Sequence, residues 1–246
     1  MIARMILVAA ILLLFALPAL AQSVAIDLGA AAGQPGTTSR LVQLTALIGL
    51  LSLAPSLLVM GTAFARIVIV LGLLRSAIGA PSIPPNPVLI GLALFLTFFV
   101  MEPVFQQAWT EGLLPMSEGR LAELPGIQAA AEPFRRFMAI HVRESDLALF
   151  LELGNLPRPE ANAQAPWRAL VPAFMVSELK RAFEIGFLIF LPFLVIDMVV
   201  ASILMSLGMM MLPPSVVALP FKLVFFVIVD GWRLLAASLV QGFSAG

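Results

Sequence analysis

The chain has 246 residues, 61% of them hydrophobic and only 11% charged, with a mean hydropathy of +1.06. That composition excludes an ordinary soluble domain and places the chain with integral membrane proteins. Its 14 basic and 14 acidic residues cancel, no arginine-rich run offers itself to a nucleic acid, and the absence of cysteine excludes disulfides, thiolate metal sites and cysteine nucleophiles.

At the N-terminus Arg4 precedes an apolar block over residues 5–17, and Ala19 and Ala21 then supply the small-x-small pattern read by a signal peptidase. The block falls short of the roughly 20 residues that cross a bilayer. Residues 1–21 are therefore expected to be a signal peptide cleaved after Ala21, the alternative being an uncleaved first transmembrane helix. Residues 22–40, rich in Gly, Ala, Thr and Pro, read as a flexible N-terminus outside the membrane.

Four apolar segments follow, at 41–74, 88–105, 182–208 and 215–240, each long enough to span. The first has room for two helices broken near Pro55. Between the first and second, residues 80–87 are crowded with prolines, which remove donors and restrain their predecessors, so this stretch is expected to be a non-helical connection. Pro213 and Pro214 separate the last two segments in the same way. If the N-terminus is exported, four crossings put Arg75 inside, 106–171 outside, Lys222 near the inside and the C-terminus outside. Arg75 and Lys222, free of acidic neighbours, follow the positive-inside tendency.

The expected fold is all-α: a polytopic, membrane-associated helical protein with a small helical extracytoplasmic insertion. Residues 41–105 form an apolar helical hairpin. Residues 106–175 form the insertion, helical around Phe134 to Met138 and Asp146 to Phe150, with boundaries at Pro125, Pro133, Pro157, Pro159 and Pro166. Residues 176–246 form a second apolar hairpin with a methionine-rich loop.

Charges within apolar sequence are costly and usually face protein or water, so they are the candidate functional groups. On one helix Glu178 and Arg181 stand three apart and Lys180 and Glu184 four apart, which allows two opposite-sign pairs; a solvated helix end is the plainer reading. Asp197 lies in mid-run. Arg66, Lys222, and Asp230 with Arg233 are its candidate partners, and a buried contact suits it better than a proton relay, because titrating partners for a relay are missing. Asp230 and Arg233 are also spaced to neutralise each other. Met209, Met210 and Met211 stand before Pro213, where Gly208 permits a tight bend; they are either core filling or a soft, deformable collar. His141, the lone histidine, reads as a surface or interface residue. There is no phosphate-binding glycine loop, no Gly-x-Ser-x-Gly elbow and no metalloprotease motif, so neither an active site nor a cofactor is expected.

Three strings are specific: Met60-Gly61-Thr62-Ala63-Phe64-Ala65-Arg66-Ile67-Val68-Ile69-Val70-Leu71; Pro84-Pro85-Asn86 followed by Val88 through Phe99; and Ser177-Glu178-Leu179-Lys180 running through the Phe187 to Val200 stretch to Met209-Met210-Met211-Leu212-Pro213-Pro214. From about Pro55 to Phe243 the chain resembles the FliP family of flagellar biosynthetic proteins. The resemblance implies a non-enzymatic part of the type III export gate, in the bacterial inner membrane within the flagellar basal body. It implies about five copies in a helical rather than flat ring, with FliQ-type and FliR-type subunits, FlhB and FlhA as neighbours, and unfolded polypeptides as cargo. It further implies a constriction at Met209, Met210 and Met211, and contacts between subunits at Glu178, Lys180, Arg181 and Glu184; Asp197 and Lys222, on their burial in apolar sequence, are expected to make polar contacts between subunits as well. Pro87, Glu102 and Ile140-His141-Val142 depart from the family's usual residues. The rival reading is an ion-coupled secondary transporter using Asp197 and Lys222, but the paired repeats of such transporters are not visible.

Overall fold

The computed structural model describes residues 61–157, 165–209 and 211–244, with scattered positions between 45 and 60. Ala19 and Ala21 with the expected signal peptide, the stretch 22–40, Pro55, Pro159 and Met210 lie outside the described residues. The chain divides into two units, Met1–Ser52 and Leu53–Gly246. In the first, only Thr45, Ile48, Gly49 and Ser52 are described, and all four are helical.

The second unit is built around helix α1, Phe64–Ile78, which is its axis. Ala65, Arg66, Ile67, Val70, Leu71, Leu74, Ala77 and Ile78 are all buried, so it is enclosed on nearly every side, as expected of a helix apolar all round. Gly79 ends it in the left-handed region at φ 84°, where its N–H reaches the Ser76 carbonyl at 3.1 Å. The proline-rich connection then runs to α2, Asn86–Ala108, with Pro85 at its N-cap. Arg75 bridges this connection by donating to Asn86 Oδ1 at 2.5 Å. The expectation of a non-helical link is met up to residue 85.

α2 passes into a π-helical turn, Trp109–Leu113, and a short helical turn, Leu114–Ser117. α3, Glu123–His141, and α4, Glu144–Leu153, come next. Both helical stretches expected in this region are present, but Pro133 lies buried inside α3 rather than at a boundary. Its missing N–H costs one helical bond, and the packing of the buried α3 face outweighs that loss.

α5, Trp167–Ser206, has 40 residues and begins after Pro166 at its N-cap. At 1.5 Å per residue it is about 60 Å long, roughly twice the hydrocarbon thickness of a bilayer. It runs unbroken through residue 176, where the composition suggested a domain change. α6, Pro214–Ile228, and α7, Gly231–Ser244, correct the last expected span. Instead of one rod over 215–240 there are two helices bent by 62°. The hinge is Asp230, at φ 53°, one of the few non-glycine types that enter the left-handed region readily.

Among the described residues, Asn86–Ser117 and Trp167–Ser206 are long and apolar enough to cross a membrane, and the bent pair α6 and α7 adds a third candidate. Much of the first expected span, 41–74, lies outside the described residues. α1 packs closely along α5 at Gly186, where an added Cβ would overlap the Leu73 side chain. Small residues at such positions let membrane helices approach and gain dispersion contact. Phe95, Phe98, Phe99, Phe187, Leu188, Val195, Val227 and Ile228 remain exposed, so the exterior is itself apolar.

Candidate functional site

Two polar clamps hold α1 at its two ends. At the first, Arg66 of α1 is 2% exposed and Glu178 of α5 is fully enclosed. Arg66 Nε donates to Glu178 Oε2 at 2.8 Å and Nη2 to Oε1 at 2.5 Å, the two-pronged geometry that makes guanidinium–carboxylate pairs strong. The third prong, Nη1, donates to the Gly242 carbonyl at 3.2 Å, while the guanidinium lies over the Phe243 ring, 3.7 Å from its centroid. One side chain thus ties α1, α5 and the last turn of α7, whose carbonyl end favours a cation.

His141 works on the same helix end. It is buried, with Nδ1 2.8 Å from the Phe137 carbonyl oxygen and Nε2 3.3 Å from that of Phe243. This corrects the surface reading: the C-terminal helix, distant in sequence, covers the ring. Ser177, next to Glu178, accepts the Arg143 N–H at 3.0 Å, with its hydroxyl 2.7 Å from Asp146 Oδ2, and so fixes α4 to α5.

The second clamp is built from Lys222 of α6, which is 5% exposed. Its ammonium donates to Asp197 Oδ2 at 2.7 Å and to the Ala77 carbonyl at 3.1 Å, closing the C-terminal end of α1. Asp197 itself is less enclosed, its side chain 36% exposed, yet its Oδ1 atom is covered and finds no hydrogen-bond donor. A covered acceptor without a donor is costly, so this clamp is the weaker of the two.

Further along α5 from the second clamp lies the methionine turn. Gly208, at φ 72°, ends α5: its N–H reaches the Met205 carbonyl at 3.1 Å and the Met209 N–H reaches that of Leu204 at 2.9 Å. This paired arrangement satisfies the open carbonyls of a helix end and turns the chain sharply. Met209 is left 42% exposed and Met211 98% exposed, so neither fills a core in this chain.

The remaining sequence candidates sit apart. Lys180 and Glu184 form an exposed pair at 4.0 Å, and Asp230 and Arg233 another at 3.8 Å. Arg181 does not meet Glu178 as its spacing allowed; Glu178 points instead at Arg66, 112 residues away. No periodicity signals that pair; the only hint was that buried opposite charges must find each other. Of the partners considered for Asp197, the fold selects Lys222. The charges of Glu178, Asp197 and Lys222, read from sequence as meeting a neighbouring subunit, each meet their counterpart inside one chain.

Fold and clamps together define a multi-span, all-helical membrane protein that uses its buried charges to lock helices rather than to carry out chemistry. The FliP family model matches residues 47–239. The flagellar biosynthetic protein FliP of Caulobacter vibrioides is 58% identical over 230 residues, covering 93% of this chain and 85% of that protein. The FliP of Pectobacterium carotovorum is 53% identical over 86% of this chain and 81% of its own length, and that of Bacillus subtilis 50% identical over 85% and 95%. The chain belongs to the FliP family and is a non-enzymatic membrane component of the flagellar type III protein export apparatus.

Proposed function

We propose that about five copies of this chain pack in a helical rather than flat ring and form the pore through which unfolded flagellar subunits leave the cytoplasm. FliQ-type and FliR-type subunits complete the assembly, with FlhB and FlhA beside it. Met209, Met210 and Met211 of each copy form a collar around the path. Unbranched thioether chains deform around irregular polypeptide without binding one sequence tightly, which is what a seal for varied cargo needs. The observation that carries this reading is the methionine turn, held by the Gly208 bend and presenting Met211 almost wholly exposed. Such a large apolar side chain gains by meeting copies of itself.

In this reading residues 1–21 are removed after Ala21, and 106–175 lie on the extracytoplasmic side. Lys180, Arg181 and Glu184, on the open face of α5, meet neighbouring subunits, while the two clamps keep each copy rigid enough to present that face. Replacing Met209, Met210 and Met211 together by alanine should let the resting assembly leak ions and small solutes while it still assembles. Unchanged permeability of membranes holding a normally assembled complex would remove the collar. Asp197→Ala should lower recovery of the oligomer more than it alters the proton dependence of export; the reverse pattern would make Asp197 a relay.

A further inference from the structure

Glu102 on α2 and Arg181 on α5, both away from the first turns of their helices, have no counterpart among the described residues. Glu102 stands exposed on α2 with Phe98, Phe99, Phe105 and Gln106 one turn to either side, so no cation lies within reach on its own helix. Arg181 is half-buried on α5; of the nearest carboxylates on its helix, Glu178 is taken by Arg66 and Glu184 stands beside Lys180. A lone carboxylate and a lone guanidinium within membrane-grade sequence are each unfavourable, and each calls for a partner from outside the chain.

Their placement makes them complementary. α2 and α5 both pack on α1, which lies between them, so the two groups belong to different faces of one chain. Their heights are similar. Phe105 lines one cavity with Met60, Gly61 and Thr62, which puts Glu102, a turn earlier on α2, close to the start of α1. Arg66, in that first turn, meets Glu178, and Arg181 follows three residues, about 4.5 Å, further along α5. Two opposite unpaired charges at similar height on different faces are what a head-to-tail contact between identical chains requires, in which one patch meets a different patch on the next copy.

We propose that Glu102 of one copy pairs with Arg181 of the next, seating the aromatic face of α2 against the open face of α5. The pair sets direction and register around the ring, because a neighbour docked in the reverse sense would bring like patches together. This contact rests on the oligomeric reading and adds to it the faces that touch. Arg168, exposed at the start of α5 and also unpaired, is the competing cation. It stands in the first turn of α5, at the end of the apolar run rather than within it, so it gains less from a partner.

The test uses the full chain co-expressed with its neighbours in membranes. Because the chain has no cysteine, E102C with R181C makes the two introduced thiols the only ones in this chain, and each single variant serves as the background control. A short bifunctional maleimide should produce a ladder of linked copies from the double variant and none from either single variant. E102R and R181E should each lower oligomer recovery about tenfold, and E102R/R181E together should restore most of it, as coupled charges do. If native mass measurement shows the oligomer but no ladder forms, the contact is wrong and the oligomer stands. A ladder from E102C with R168C instead also overturns it, as does unchanged recovery of E102R with altered co-purifying lipid. If the unsubstituted chain forms no oligomer, the ring itself falls and the contact with it.

Discussion

The two clamps at the ends of α1 use the same device to different degrees. Each joins three helices through one cation, and each cation also reaches a backbone carbonyl at a helix end. At the first, guanidinium and carboxylate are both enclosed and meet through two bonds. At the second, an ammonium meets a single carboxylate oxygen, the other oxygen has no donor, and the carboxylate is 36% exposed. The difference separates two tasks. A closed, planar pair fixes one geometry, whereas a point-charge contact at a partly open site holds helices while leaving them room to move. The looser clamp is the one nearer the methionine turn, the part that would have to yield to cargo in the proposed collar.

The largest effect should come from breaking the closed clamp. Glu178→Ala leaves the Arg66 guanidinium buried with the Gly242 carbonyl as its remaining acceptor, and a cost of about 3 to 5 kcal/mol is expected, read as lost thermal stability of the purified chain. The sharper form is the pair replacement Arg66→Met with Glu178→Met, which leaves no orphaned charge and should be better tolerated than the single change. A double variant no more stable than Glu178→Ala would mean that the charges do more than hold helices.

Next comes the open clamp. Asp197→Ala leaves Lys222 buried beside one carbonyl and should cost about 2 kcal/mol, less than the closed clamp because water already reaches the carboxylate side. Lys222→Ala should cost less again, since the remaining carboxylate is partly solvated, although α1 loses its terminal cation. Were Asp197→Ala to match Glu178→Ala in a melting series, the proposed division between rigid and yielding ends would fail. The smallest effect belongs to the exposed pairs. Lys180→Ala and Arg233→Ala should each change chain stability by less than about 0.5 kcal/mol, so any loss of export from Lys180→Ala in a stable chain marks a contact made outside it.

Much of the architecture was legible in advance, for reasons that differ by residue. The helical class and the break at residues 80–85 follow from hydropathy and from proline's missing donor, both local properties. The bend after Leu207 was legible because Gly208 is the residue type that tolerates a left-handed end. The break at Asp230 was not, since an aspartate in an apolar run carries no comparable mark. Pro133 misled because local preference yields to packing. His141 was misplaced, and the Arg66 partner of Glu178 was missed, because Phe243 and Arg66 are brought to them by helices far away in the chain.

Sequence alone determined that this protein is helical, that it lives in an apolar medium, which family it resembles, and that its submerged charges needed counterparts. It could do so because hydropathy, backbone preference and the cost of a lone charge act over one residue or one turn. Which charge meets which, that α5 passes unbroken through the supposed domain boundary, and that α1 is clamped at both ends were decided by the tertiary structure. Those outcomes depend on how whole helices stack, and a contact spanning 112 residues leaves no trace in the spacing of either partner.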